Sequence, residues 1–134
     1  MDRPPLVGLR HAALRVRDVT AAARFYVDVL GFRVEWEPDA DNVYLTSGAD
    51  NLALHRAAVA PRGFEMGSDS ALDHIGLAVE HAEDVDAWAA YLRGRGITLE
   101  HEPRTHRDGS RSLYLRDPAD NLVQIVWHLP LLGV

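Results

Sequence analysis

The sequence contains no cysteine. That absence excludes disulfides, thiolate metal sites, iron–sulfur clusters and a cysteine nucleophile, so any metal must be held by histidine, carboxylate or amide groups. No window approaches the ~18 consecutive apolar residues of a membrane span, and the stretch Met1 to His11 has no apolar core of signal-peptide type. The expectation is a cytoplasmic protein with no membrane partner. A basic excess is missing too: 14 Lys and Arg stand against 20 Asp and Glu, a net charge of −6 with pI ≈ 5.5. Nothing draws such a chain to a phosphate backbone, and nucleic acid is not expected as a partner. Dinucleotide-binding, P-loop, nucleophile-elbow and zinc-protease motifs are all lacking, and Asp39-x-Asp41 has neither the Gly nor the Glu of a calcium loop.

What is present is an ordinary globular composition. The 134 residues are 47% hydrophobic and 25% charged, enough for one domain with a real core, taken here as 1–134. Comparing the chain with itself gives more. Leu9 to Val16 matches Leu72 to Val79 at an offset of 63, with His11 falling on His74. Tyr44-Leu45 through Ala49-Asp50-Asn51-Leu52 recurs as Tyr114-Leu115 through Ala119-Asp120-Asn121-Leu122 at an offset of 70. Module one therefore spans about 9–57 and module two about 72–128, joined by a linker, 58–71, rich in Gly, Ser and Pro.

Each copy opens with a strand and continues as a helix. Asp18 as N-cap, the 3.6-residue period of Val19, Ala22, Ala23, Tyr26, Val27 and Leu30, and Gly31 as terminator predict a helix over 19–30. Val85, Trp88, Ala89 and Leu92, followed by Gly94 and Gly96, predict a second over 84–94. Three short strands follow in each copy: 32–37, 42–47 and 51–57, then 97–102, 110–116 and 121–128. The fold class is α+β, two βαβββ modules.

Period-two alternation puts His11, Ala13 and Arg15 on one face of the first strand, and His74, Gly76 and Ala78 on the matching face of its counterpart. Both histidines lie away from the helices, beside small residues, as a cavity lining would. Equivalent histidines on equivalent faces are candidate metal ligands. In the last strands the offset of 70 aligns Leu54 with Gln124 and His55 with Ile125. His55 thereby falls on the opposite face and is read as a strand-edge or helix-packing residue and not a ligand.

The paired His-bearing strands, the helix ending Phe25-Tyr26 through Leu30-Gly31-Phe32, and Tyr114-Leu115-Arg116-Asp117-Pro118-Ala119-Asp120-Asn121-Leu122-Val123-Gln124 resemble the vicinal oxygen chelate superfamily. That group includes glyoxalase I, extradiol ring-cleaving dioxygenases, fosfomycin-modifying enzymes and bleomycin-binding proteins. The resemblance runs from about Leu9 to His128 and implies a cupped, partly closed mixed sheet with helices outside and a divalent metal in the concave face. It implies His11, His74 and Gln124 as ligands, with Gln124 standing where the family usually has Glu. A neutral amide leaves a divalent site at higher charge and lowers its affinity.

The fourth ligand of bacterial glyoxalase I would fall at Leu54, which disfavours that site and leaves three ligands with open positions, as in extradiol dioxygenases. Those enzymes carry a His, then a Tyr ten residues before the acidic ligand, an order that His106, Tyr114 and Gln124 repeat. His106 is thus implied as acid or base and Tyr114 as a hydrogen-bond donor. Fe(II) is the metal favoured, with Mn, Zn or Ni as alternatives. The function implied is a metal-dependent enzyme acting on a small oxygen-chelating metabolite, ring cleavage placed slightly ahead of lyase or isomerase chemistry. The rival is a metal-free protein that sequesters a small aromatic or antibiotic ligand. The family's pairing of such short chains implies a homodimer. Arg104, Arg107 and Arg111 form a basic cluster that would steer an anion.

Overall fold

The computed structural model describes residue 3 and residues 5–58 and 72–128. Nearly all of the expected linker lies outside the described residues. The chain forms two compact units, Met1–Pro61 and Arg62–Val134.

Unit one contains β1 (His11–Val16), α1 (Val19–Arg24), a π-helical turn (Phe25–Val29), β2 (Arg33–Asp39), β3 (Asn42–Thr46) and β4 (Asn51–Arg56). Unit two contains β5 (Ile75–Ala78), α2 (Ala82–Gly94), β6 (Leu99–Thr105), β7 (Arg111–Arg116) and β8 (Leu122–Trp127). Each forms one four-stranded mixed sheet, β1-β4-β3-β2 and β5-β8-β7-β6. The first and last strands of each module are parallel, the others antiparallel. The fold is α+β and each unit is βαβββ. No helix among the described residues is long and apolar enough to cross a membrane.

The Asp18 side chain accepts a hydrogen bond from the Ala21 amide at 3.0 Å and starts α1. The 3.6-residue period then slips: the Leu30 amide reaches the Phe25 carbonyl, five residues back, which widens the last turn into a π-helix. That turn swings Tyr26 fully inside, where it meets Phe25 and Phe32 edge to face at 5.2 and 5.4 Å. Gly31, with φ 83°, ends the helix in the left-handed region that glycine enters without strain. Helix α2 begins two residues earlier than its apolar period indicates, because His81 and Asp84 cap it reciprocally. Its buried stripe is Val85, Ala89 and Leu92; Trp88 is only half-buried.

Alternation fixes the faces. In unit one Leu14, Val16, Val43, Leu45, Leu52 and Leu54 are buried on the face covered by α1, while His11, Ala13 and Arg15 are exposed on the other. In unit two Val123, Ile125, Leu113 and Leu115 are buried under α2, and Gly76, Tyr114 and Gln124 share the face turned away. Both helices pack on their own sheets, on the faces opposite His11 in unit one and Tyr114 and Gln124 in unit two.

Candidate functional site

The register corrects one reading and refines another. Tyr44 pairs with Ala53 and Tyr114 pairs with Gln124, so the residue equivalent to Gln124 is Ala53, not Leu54. The cause is one extra residue in the turn between the last two strands, 117–121 against 47–50. Asp117 fills that longer turn, its carboxylate accepting from the Ala119 and Asn121 amides and the Asn121 side chain. Asp120 takes up a φ of 63° there. With the shift, His55 is not helix-facing: it pairs with Asn42 and stands opposite Arg15, on the same face as His11.

On that face of unit one, the Asn51 side-chain nitrogen donates to Glu35 Oε2 at 2.8 Å. The carboxylate can only accept, which fixes the amide so that Asn51 Oδ1 receives the proton of His11 Nδ1 at 2.7 Å. The lone pair of His11 therefore sits on Nε2. The same construction recurs at His55, whose Nδ1 meets Asn42 Oδ1 at 2.7 Å while the Asn42 nitrogen donates to Asp39. Tyr44 lies between His55, edge-on at 5.7 Å, and Trp36, stacked at 5.0 Å.

Unit two gathers more. His74 Nδ1 donates to Asp73 Oδ1 at 2.6 Å, again leaving Nε2 as the coordinating atom. The rings of His74 and His101 each stand edge-on to Tyr114, centroids 5.5 Å away. Gln124 donates from Nε2 to the Tyr114 hydroxyl at 2.9 Å, which turns its Oε1 toward Gly76. A Cβ built at Gly76 would meet that oxygen at 3.5 Å. So β5, β7 and β8 bring His74, Tyr114 and Gln124 together.

Ser112 extends the group and was not legible as a site residue. It is 1% exposed, its Oγ lies 2.7 Å from His106 Nε2, and it hydrogen-bonds Tyr114. The directions follow by elimination. The Ser112 bond lowers the Tyr114 phenol, so Ser112 donates to the same oxygen that accepts from Gln124, the phenol proton is left free, and Ser112 Oγ accepts from His106 Nε2. His106 is half-buried, held in a tight turn whose Gly109 amide reaches the His106 carbonyl. Burial pushes the Tyr114 phenol up from its ordinary range; the Ser112 bond pulls it partly back and the negative charge of Asp73 adds to the rise. Signals for Ser112 and His101 did exist: Ser112 shares strand parity with Tyr114, and His101 pairs with it across an irregular edge.

Taken unit by unit, the donor chemistry suits a divalent metal. His11 and His74 each have Nδ1 engaged by an oxygen, the arrangement that orients an imidazole for coordination through Nε2. The amide oxygen of Gln124 is an acceptor aimed past a glycine. Among the described residues no group of three His, Asp or Glu side chains forms a metal-binding cluster, and a set completed by an amide oxygen lies outside that description.

A model of the Glyoxalase/Bleomycin resistance protein/Dioxygenase superfamily matches residues 8–125. The chain is similar to the solved structure of lactoylglutathione lyase from Agrobacterium tumefaciens, at 26% identity over 98% of this chain and 100% of that one, with a TM-score of 0.76. It is similar in fold to a glyoxalase/bleomycin resistance protein/dioxygenase from Alicyclobacillus acidocaldarius, at 22% identity over 96% and 97% of the two chains and a TM-score of 0.74. It also shares its fold with a virulence protein from Salmonella typhimurium, at 24% identity over 94% and 100%, with a TM-score of 0.66.

Proposed function

This chain belongs to the Glyoxalase/Bleomycin resistance protein/Dioxygenase superfamily, and on that premise we propose that it is a metal-dependent enzyme acting on a small metabolite with two adjacent oxygens. The proposed ligands are His11, His74 and Gln124. A bound divalent ion, Fe(II) by preference with Mn, Zn or Ni as alternatives, supplies Lewis acidity to a chelating substrate and, if iron, electrons to dioxygen. The observation carrying the reading is the hydrogen-bonded run Gln124–Tyr114–Ser112–His106. It starts at a proposed ligand and ends at an imidazole. Tyr114 gives its free hydroxyl proton to a substrate oxygen, Gln124 and Ser112 hold the phenolate that results, and His106 restores the proton from Nε2 through Ser112.

Ring cleavage stays slightly ahead of lyase or isomerase chemistry. Ala53 at the position equivalent to Gln124 offers no fourth ligand from unit one, so two adjacent substrate oxygens have positions to fill. The likeness to a lactoylglutathione lyase supports the isomerase side of the same superfamily. Dioxygen uptake by Fe(II)-loaded protein with a panel of catechols decides between them. Uptake that falls by roughly a hundredfold or more in His106→Ala, within the range of general acid–base catalysis, supports ring cleavage. No uptake with any catechol removes it.

A second reading is a metal-free module that sequesters a small aromatic or antibiotic ligand, and the neutral Gln124 amide already satisfied by Tyr114 favours it. We also propose a cytoplasmic homodimer: β2 is an edge strand exposed along its length, with Trp36 59% and Val34 51% exposed, an edge a second copy would cover. A sedimentation coefficient of a dimer at micromolar concentration is expected, and a monomer throughout that range would refute it.

A further inference from the structure

We infer that unit two carries a subsite for a small aromatic carboxylate, with its anionic group at Arg104 and Arg107. This deepens the proposed function by naming a substrate class, and rests on reading Tyr114 and Gln124 as site residues but not on any metal. Three arginines of this unit are already paired with carboxylates. Arg93 is paired with Glu102, Arg111 with Asp86, and Arg116 with Glu100. The guanidinium groups of Arg104 and Arg107 have no partner among the described residues. The carboxylates on the same wall are taken: Glu102 by Arg93, and Asp108 by Ser110 and His128 at 3.4 Å. Asp108 stays ionised, its carboxyl held below the ordinary range by Ser110, so in a chain of net charge −6 this wall sets two unpaired guanidiniums against one carboxylate, a positive excess that favours an anion as partner.

The space beside them sets the rest of the ligand. His101, Glu102, Arg104, His106, Ser112 and Tyr114 line a cavity of about 200 Å³. A more open hollow of about 570 Å³, which adds Arg107, Asp108, Ser110 and Gln124, adjoins it. A cavity of ~150 Å³ accommodates a benzene ring, so the smaller space has room for one ring. Tyr114 and His101 give it aromatic walls. A planar ring there would direct a carboxylate toward the guanidiniums and leave the Gln124 side free for further oxygens of the same molecule.

The test is NMR titration of the metal-free protein in a chelating buffer, so that failure of the metal assignment cannot affect the result. Benzoate, benzamide and inorganic phosphate are the probes, read on the side-chain amide of Gln124 and the Nε–H signals of Arg104 and Arg107. Benzoate should shift these signals saturably and bind on the order of tenfold more tightly than benzamide, the worth of one charge-assisted contact. Added salt should weaken it, and the double substitution Arg104→Gln with Arg107→Gln, at two exposed positions that leave the core intact, should bring benzoate down to benzamide. Equal binding of benzoate and benzamide, or benzoate binding unchanged in the double variant, would overturn the subsite. Phosphate binding as tightly as benzoate would overturn its aromatic part.

Discussion

Ser112 sits where a small change should have a readable effect. Its hydroxyl is almost fully buried between His106 and Tyr114, so Ser112→Ala strands polar atoms on both sides. We expect a loss of ~1–3 kcal/mol in chemical denaturation, the usual cost of unsatisfied buried groups. The substitution also removes the one contact that lowers the Tyr114 phenol. Tyrosinate absorbance should therefore show one tyrosine ionising at higher pH in the variant, and an unchanged titration would mean the Ser112 bond carries no weight. The sign for stability follows from linkage. The folded phenol is raised above its unfolded value, so its contribution is intact below the ordinary phenol range and is lost as pH rises through the folded pKa. At this scale the sequence was only partly legible. Repeat and parity put His11 on the face turned away from the helix, as the register has it, but identity matching of Asn51 to Asn121 hid the extra residue in the Asp117 turn. That error sent His55 to the wrong face and paired Gln124 with Leu54.

Helix α2 is fastened to its sheet by polar clamps as well as by its apolar stripe, and one of them is bidentate. Arg111 reaches Asp86 through both Nε and Nη2, at 2.9 and 2.6 Å, and Thr105 through Nη1 at 3.0 Å. The guanidinium holds the Asp86 carboxyl below its ordinary range, and Asp86 raises Arg111 in turn. The Asp86 side chain is half exposed, so solvent screening limits the pair to ~0.5–1 kcal/mol. Its folded pKa is depressed, so this stability is present above the unfolded carboxylate range and is lost as pH falls through the folded value. Asp86→Asn should lower stability at neutral pH by that amount and flatten the acid limb of a urea-unfolding series; an acid limb identical to the parent's would place the clamp's energy elsewhere. Elements were the most legible level, because apolar period and capping residues act locally. What escaped was set by contacts: the π-helical turn depends on seating Tyr26 against Phe32, and the N-terminus of α2 on an unusual His81 cap.

For the whole chain, the repeat was the decisive signal, since each copy carries the same strand, helix and turn chemistry and each builds the same mixed sheet. Family membership follows from it and from the match over residues 8–125; the reaction does not, because it depends on a few side chains whose types are shared by enzymes and binding proteins alike. The central claim is that His11, His74 and Gln124 hold a divalent metal. Titration of anaerobically prepared protein with Fe(II), and with Mn(II), Zn(II) and Ni(II), at one fixed pH tests it most directly. The account predicts stoichiometric metal in the parent chain, its loss in His11→Ala and in His74→Ala with the fold intact, and affinity higher by about tenfold, or ~1.4 kcal/mol, when Gln124→Glu adds a charged ligand. Full stoichiometric metal retained by His74→Ala, or equal affinity in Gln124→Glu and the parent, would contradict it.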